Sequence, residues 1–213
     1  MKPSVPVFLF DLVLIPEHDC PPKAEAVVST VGVLNRIEYT ASSLADRGLI
    51  LLGGQSRHCH WDSSAVVKQV SDLVTCNPDI KWELTTSRRT PDETLKLLSQ
   101  LEHENCIVTP FEQTDRSWVS QRLNIASRVW VTQDSVSMIY ESLTAGAEVG
   151  LIELDPISRT NRIVRSVENL KKNGFVVSDM KLPKHVQKNS QKLNEANRCA
   201  AIVFERFLDN KFE

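Results

Sequence analysis

The chain has 213 residues, of which 41% are hydrophobic and 24% charged, with a formal net charge of −2. That fits one good-sized soluble domain, or a domain with an appendage, and gives no footing for a broad nucleic-acid or membrane-binding surface. Five cysteines without framework spacing point to reduced thiols in a cytosolic-type compartment.

The opening stretch MKPSVPVFLFDLVLIPEHD is apolar but interrupted by prolines and acids. It is too short to span a bilayer and lacks a small-residue cleavage site, so neither a transmembrane nor a targeting segment is expected. Residues 7–15 read as a buried strand. The His18-Asp19 pair that follows is either a hydrogen-bonded turn or an acid–base pair lacking a nucleophile. Residues 20–48 have weak periodicity and read as connecting structure, with a short helix expected within 36–46.

From residue 49 the pattern becomes regular. Leu49-Ile50-Leu51-Leu52 is a fully apolar strand entering Gly53-Gly54-Gln55-Ser56-Arg57. The glycines permit a tight turn and close approach to a ligand, and Ser56 and Arg57 can hydrogen-bond an anion. Asp62 or Ser63 caps a helix to about Cys76, with Val66, Val67, Val70, Leu73 and Val74 as its buried stripe. His58-Cys59-His60 invites a zinc reading, but adjacent loop residues rarely converge on one ion and no partner pair stands elsewhere. Residues 80–86 alternate as a strand and lead to Ser87-Arg88-Arg89, either phosphate clamps or solvated surface charges. Thr90-Pro91-Asp92-Glu93 is then a helix start with Thr90 at the cap and Leu95, Leu98 and Leu101 inward.

Residues 106–109 give another strand, and 116–127 hold a short helix. Residues 128–132 are a buried strand, 136–145 a helix ended by Gly146, and 149–154 the next strand. Ser137 and Glu141 lie one turn apart, away from the core stripe of Val136, Ile139, Tyr140 and Leu143. Ser135 or Asp134 can cap this helix, leaving amides free beside a strand's carboxyl end, where α/β sheets bind ligands. Alternatively this is an ordinary β-α-β unit with a surface glutamate. A helix over 162–172, a short strand at 175–177, a polar loop at 183–190 and an amphipathic helix bearing Leu193, Ala196, Ala200, Val203, Phe204 and Phe207 complete the chain. The alternation predicts an α/β fold, a Rossmann-like open parallel sheet with helices on both faces. It sets residues 49–213, including the terminal helix, apart as one domain from residues 1–48, a strand and connecting segment. The loops at Gly53-Gly54, Ser87-Arg88-Arg89 and Asp134-Ser135 then share one rim.

The motifs GGQSRHCHWD, TTSRRTP and VTQDSVSMIYESLTAG, with FDLVLIPEHD upstream, resemble the mitochondrial fission family named for the plant elongated-mitochondria phenotype, which has bacterial relatives. Members look like B-type glycosyltransferases, whose carboxyl-terminal domain holds a nucleotide-sugar donor. The resemblance implies that Glu141, five residues before Gly146, takes the ribose. It places Asp134, Ser135 and Ser137 toward the donor phosphates and Gly53 and Gly54 on the opposite wall. Two departures stand out. Gly146-Ala147-Glu148-Val149 replaces the Gly-Lys-Pro often seen in relatives, and residues 1–48 cannot supply an acceptor domain, leaving only His18 and Asp19 near a cleft. The resemblance thus makes residues 1–48 a linker strand and connecting segment and 49–213 a nucleotide or nucleotide-sugar binding domain, not a complete transferase by itself and needing no other cofactor or metal. Its alternative is an adaptor that engages a dynamin-like GTPase. A cytoplasmic location is implied, peripheral to mitochondria in a eukaryote, and the apolar face of 193–208 is expected to be covered, for instance by homodimerisation.

Overall fold

Strong apolar runs and sharp helix boundaries shape most of the chain, and a computed structural model describes residues 3–39, 44–177, 179–180 and 193–208. Two compact units emerge, one made of residues 1–36 with 193–213 and the other of 37–192. This differs from the expected boundary at residue 48, and it groups the terminal helix with the amino-terminal segment.

In the first unit, β1 (Val13–Pro16) and β2 (Val27–Thr30) pair in parallel. The strand expected over residues 7–15 is therefore mostly absent. Residues Val7–Leu9 form a 3-10 turn after Pro6, with Phe8 80% exposed, and extended structure begins only where β2 supplies a pairing edge. β2 itself falls in the stretch read as connecting structure.

The second unit is a six-stranded, all-parallel sheet. In chain order it contains β3 (Leu44–Leu51), α1 (Ser63–Cys76), β4 (Lys81–Thr85), α2 (Asp92–Leu98), β5 (Cys106–Thr109) and α3 (Trp118–Leu123). There follow β6 (Ala126–Thr132), α4 (Val136–Ala145), β7 (Glu148–Ile152), α5 (Arg162–Lys172) and β8 (Val176–Val177). The strand order is β5-β4-β3-β6-β7-β8. The chain leaves β3 in one direction and β6 in the other, so these central neighbours form the topological switch point of a Rossmann-type sheet.

Residue alternation builds a core on each face. Ile50, Leu52, Trp82, Leu84, Trp130 and Ile152 cluster with Val66, Val70, Leu73 and Val74 of α1. Their neighbours Leu49, Leu51, Val129, Val131, Val149 and Leu151 are as deeply buried, and belong to the opposite face. The indole rings need room: a Cβ at Gly48 would overlap Trp82, and one at Gly150 would overlap Trp130. The helix expected within 36–46 is not formed in its described part, because Leu44 pairs with Ala126 and Gly48 with Arg128 as β3 joins the sheet. Long-range pairing overrides local helix propensity there.

Local signals set the helix ends. The Asp62 carboxylate accepts from the Ala65 amide at 3.0 Å and starts α1. Gly146 stops α4 at φ 88°, and Asn161 starts α5 by accepting from the Ile163 amide at 2.9 Å. Thr90 does not cap α2 as expected. Pro91 occupies the cap position, and the Thr90 hydroxyl points into the neighbouring loop instead.

Returning to the first unit, α6 (Glu195–Phe207) begins with Asn194 accepting from the Asn197 amide. Leu193 and Cys199 are buried, but Val203, Phe204 and Phe207 of the expected inward face are exposed, Phe204 by 52%. The expected polar loop at 183–190 lies outside the described residues. Among the described residues no helix is long and apolar enough to cross a membrane.

Candidate functional site

Because every strand of the sheet runs the same way, the loops after β3, β4 and β6 leave from one rim. The three loops predicted to converge do so, and they interlock. The Gly53 amide donates to Thr132 Oγ1 at 2.8 Å, and its carbonyl accepts from Ser87 Oγ at 2.7 Å and Thr90 Oγ1 at 2.5 Å. The Gly54 amide donates to Asp134 Oδ2 at 3.1 Å. The Gln55 amide donates to the Arg89 carbonyl at 3.0 Å, and Arg89 Nη1 returns to the Gly54 and Gln55 carbonyls at 3.3 and 3.1 Å.

These contacts change the meaning of the paired glycines. A Cβ at Gly53 would overlap the Asp134 carboxylate, and one at Gly54 would overlap the Arg89 carbonyl. The close approach that the glycines permit is made by neighbouring loops, and the amides of 53–55 are already spent on them. Ser56 is likewise engaged, accepting from the His58 and Cys59 amides at 3.2 and 3.3 Å. Ser87 holds Gly53 and accepts from the Arg89 amide at 3.2 Å.

Asp134, expected to face the donor phosphates, is buried among the loops. Its side chain is 0% exposed and ion-paired with Arg89 Nη1 at 2.8 Å. Its Oδ1 is buried without a hydrogen-bond partner. A carboxylate in that position repels a nearby anion except where a cation answers it.

Free donors remain nearby. Ser135 occupies the cap position of α4 without a side-chain cap bond, leaving the first-turn amides from Val136 onward without that partner. Ser137 and Arg57 are exposed. Arg88 lies over the Phe111 ring at 5.6 Å, while Arg89 keeps a partly exposed guanidinium.

Glu141 lies one turn beyond Ser137. It is partly buried, and burial pushes its carboxyl above the usual range. No hydrogen bond or ion pair engages it among the described residues. A half-desolvated acid without a partner is an unusual use of a helix face.

His58 and Cys59 serve the loop. His58 Nδ1 meets Asn161 Nδ2 at 2.9 Å, and burial, followed by the Arg57 charge, pushes the imidazole pKa down. Burial also pushes the Cys59 thiol up. Among the described residues no group of three His, Cys, Asp or Glu side chains assembles for a metal. His18 and Asp19 belong to the 3-10 turn Glu17–Asp19 of the first unit.

Sequence reasoning missed Thr132 and Thr90 as loop fasteners. It also missed a cavity of about 640 Å³ bordered by His60, Gln69, Gln133, Asp155, Arg159 and Lys171. Its walls come from segments far apart in the chain, so no local pattern announces it.

No curated protein matches this chain. Solved structures do match, at low identity. A protein described as a UDP-N-acetylglucosamine 2-epimerase of Listeria monocytogenes is 17% identical, over 76% of this chain and 46% of its own, with a TM-score of 0.42. MurG of Acinetobacter baumannii is 14% identical, over 84% and 48%, at 0.41. The cypemycin decarboxylase CypD is 15% identical, over 78% and 98%, at 0.38. The chain thus spans about half the length of the first two. Such likeness concerns the fold alone. Residues 1–207 match the family described as Mitochondrial fission ELM1, and the chain, built on a Rossmann-type parallel sheet, belongs to that family.

Proposed function

We propose that this chain binds a nucleoside diphosphate or nucleotide-sugar at the carboxyl rim of its parallel sheet. Glu141 accepts from the two ribose hydroxyls. The first-turn amides of α4, the Ser137 hydroxyl and the guanidinium groups of Arg57, Arg88 and Arg89 meet the diphosphate. The observation that carries the reading is the Glu141 carboxylate, drawn partly out of water with no hydrogen bond or ion pair among the described residues. Vicinal hydroxyls would offset that desolvation, whereas a glutamate with no role loses nothing by staying solvated. The chain is proposed to act as a donor-binding part, with a transfer reaction needing an acceptor-binding partner. Calorimetry with uridine, guanosine and adenosine diphosphates tests this. One of them should bind below millimolar concentration, and Glu141→Ala should weaken it about tenfold or more, the loss of a charged hydrogen-bond acceptor. No binding at millimolar ligand, or binding indifferent to Glu141, would overturn the reading.

A second reading has its own observation. Val203, Phe204, Phe207 and Leu208 expose apolar surface on α6, which suits a protein-interaction module. A dynamin-like GTPase or a second copy of the chain is then the proposed partner, and a cytoplasmic face of mitochondria the proposed place. Light scattering and GTPase pull-down with Phe204→Asp separate this from ligand binding, which that change should leave intact.

A further inference from the structure

We propose that Asp134 is an internal competitor for the anion site and that Arg89 is the cation it shares with an incoming diphosphate. The proposal rests on the nucleotide-binding reading above. Asp134 Oδ2 takes the Gly54 amide at 3.1 Å and Arg89 Nη1 at 2.8 Å. A loop amide and a guanidinium are the donors a phosphate oxygen would take. Asp134 follows the switch-point strand β6 directly before α4, and Arg89 reaches it from the loop after β4.

Two further observations set this pair apart from an ordinary structural ion pair. Asp134 Oδ1 is buried with no donor, whereas a buried carboxylate kept for stability normally has both oxygens satisfied. The carboxylate also fits only because residue 53 has no Cβ. Arg89, with its side chain 44% exposed, keeps an edge toward solvent and can reach a ligand while still bound to Asp134. An anion at the start of α4 therefore meets a cation already half neutralised and a fixed negative charge behind it. The site discriminates against bare phosphate groups and favours ligands whose ribose also engages Glu141. Asp134 thereby sets specificity without touching the ligand.

The test is calorimetry with inorganic pyrophosphate and with uridine diphosphate on wild type, Asp134→Asn, Arg89→Gln and the double variant. Asparagine keeps an acceptor for Gly54 and removes the charge. Pyrophosphate should bind Asp134→Asn about tenfold or more tightly than wild type, the effect of freeing the Arg89 guanidinium from the carboxylate that half neutralises it. That gain should fall below about threefold in the Arg89→Gln background, a coupling that a merely structural role would not produce. Unchanged or weaker pyrophosphate binding by a folded Asp134→Asn, or the same gain without Arg89, overturns the proposal. Should Asp134→Asn unfold, Asp134→Ser is judged by the same criteria. Wild-type uridine diphosphate binding that depends on Glu141 keeps the nucleotide reading standing even if the pyrophosphate result fails. No uridine diphosphate binding by either wild type or Asp134→Asn overturns both.

Discussion

Replacing Gly54 by alanine tests whether the paired glycines serve a ligand or the neighbouring loop. The added Cβ would overlap the Arg89 carbonyl and the Thr90 amide, both backbone, so no side-chain rotation relieves it and the loops must part. Parting them breaks the Gln55 amide's bond to Arg89 and weakens those from Arg89 Nη1 to the Gly54 and Gln55 carbonyls. It also disturbs the charge-assisted bond from Gly54 to Asp134. At about 1 kcal/mol for the neutral Gln55–Arg89 bond, about 2 for the Gly54–Asp134 bond and about 1 for the partial weakening of the two guanidinium bonds, the loss is roughly 4 kcal/mol. Gly174→Ala is the control. Its φ is 70° but nothing lies within 4 Å of the new Cβ, so only backbone strain of about 1 kcal/mol is expected. Urea unfolding followed by tryptophan fluorescence reads the second unit, which holds all four tryptophans. If Gly54→Ala stays within about 1 kcal/mol of wild type yet loses nucleotide binding, the glycine is there for a ligand and the loop-lock argument is wrong.

Two other perturbations follow from the geometry. Glu141→Gln should stabilise the unliganded protein at neutral pH: its folded carboxyl is raised by burial, so wild type keeps this contribution below the unfolded carboxyl range and loses it as pH rises through the raised value. The variant's advantage in urea midpoint should therefore shrink toward pH 4, and an advantage independent of pH would refute the desolvation argument. Glu148 accepts from Arg128 Nε at 3.1 Å with both side chains buried, 8% and 5% exposed, so Glu148→Ala should cost roughly 3 kcal/mol. Arg128→Met with Glu148→Leu should cost less than Glu148→Ala alone in the same urea measurement, and a larger loss would count against a desolvated pair.

Much of the fold was legible because its signals are local. α1 begins and α4 ends at residues that announce themselves, the Asp62 cap and Gly146 at positive φ. The apolar runs of β6 and β7 can be stable only when covered on both faces, which is what a parallel sheet requires. What failed was decided at long range. Leu44-Ala45-Asp46-Arg47 has no strand pattern of its own and is extended because β6 lies beside it. Phe8-Leu9-Phe10 has the composition of a strand but is not paired in the described sheet, and composition alone does not supply an edge.

The convergence of the three loops was legible in the sequence, whereas the bonds that their polar groups make to one another were not. Strand-helix alternation suffices to bring Gly53, Ser87, Arg89 and Asp134 to one rim, since it fixes the direction of every strand. It does not say which polar groups are left over after the loops have bonded to each other. Asp134 offered a clue even so. A carboxylate directly before a helix expected to hold phosphate is electrostatically out of place unless a cation answers it. The arginines that could answer it stand 45 and 46 residues earlier, in Ser87-Arg88-Arg89, on a loop already assigned to the same rim. Charge balance calls for one of these arginines, and the structure supplies Arg89. Among the described residues no cation answers Glu141, which is why the proposed reading assigns it, rather than Asp134, to a ligand's hydroxyls.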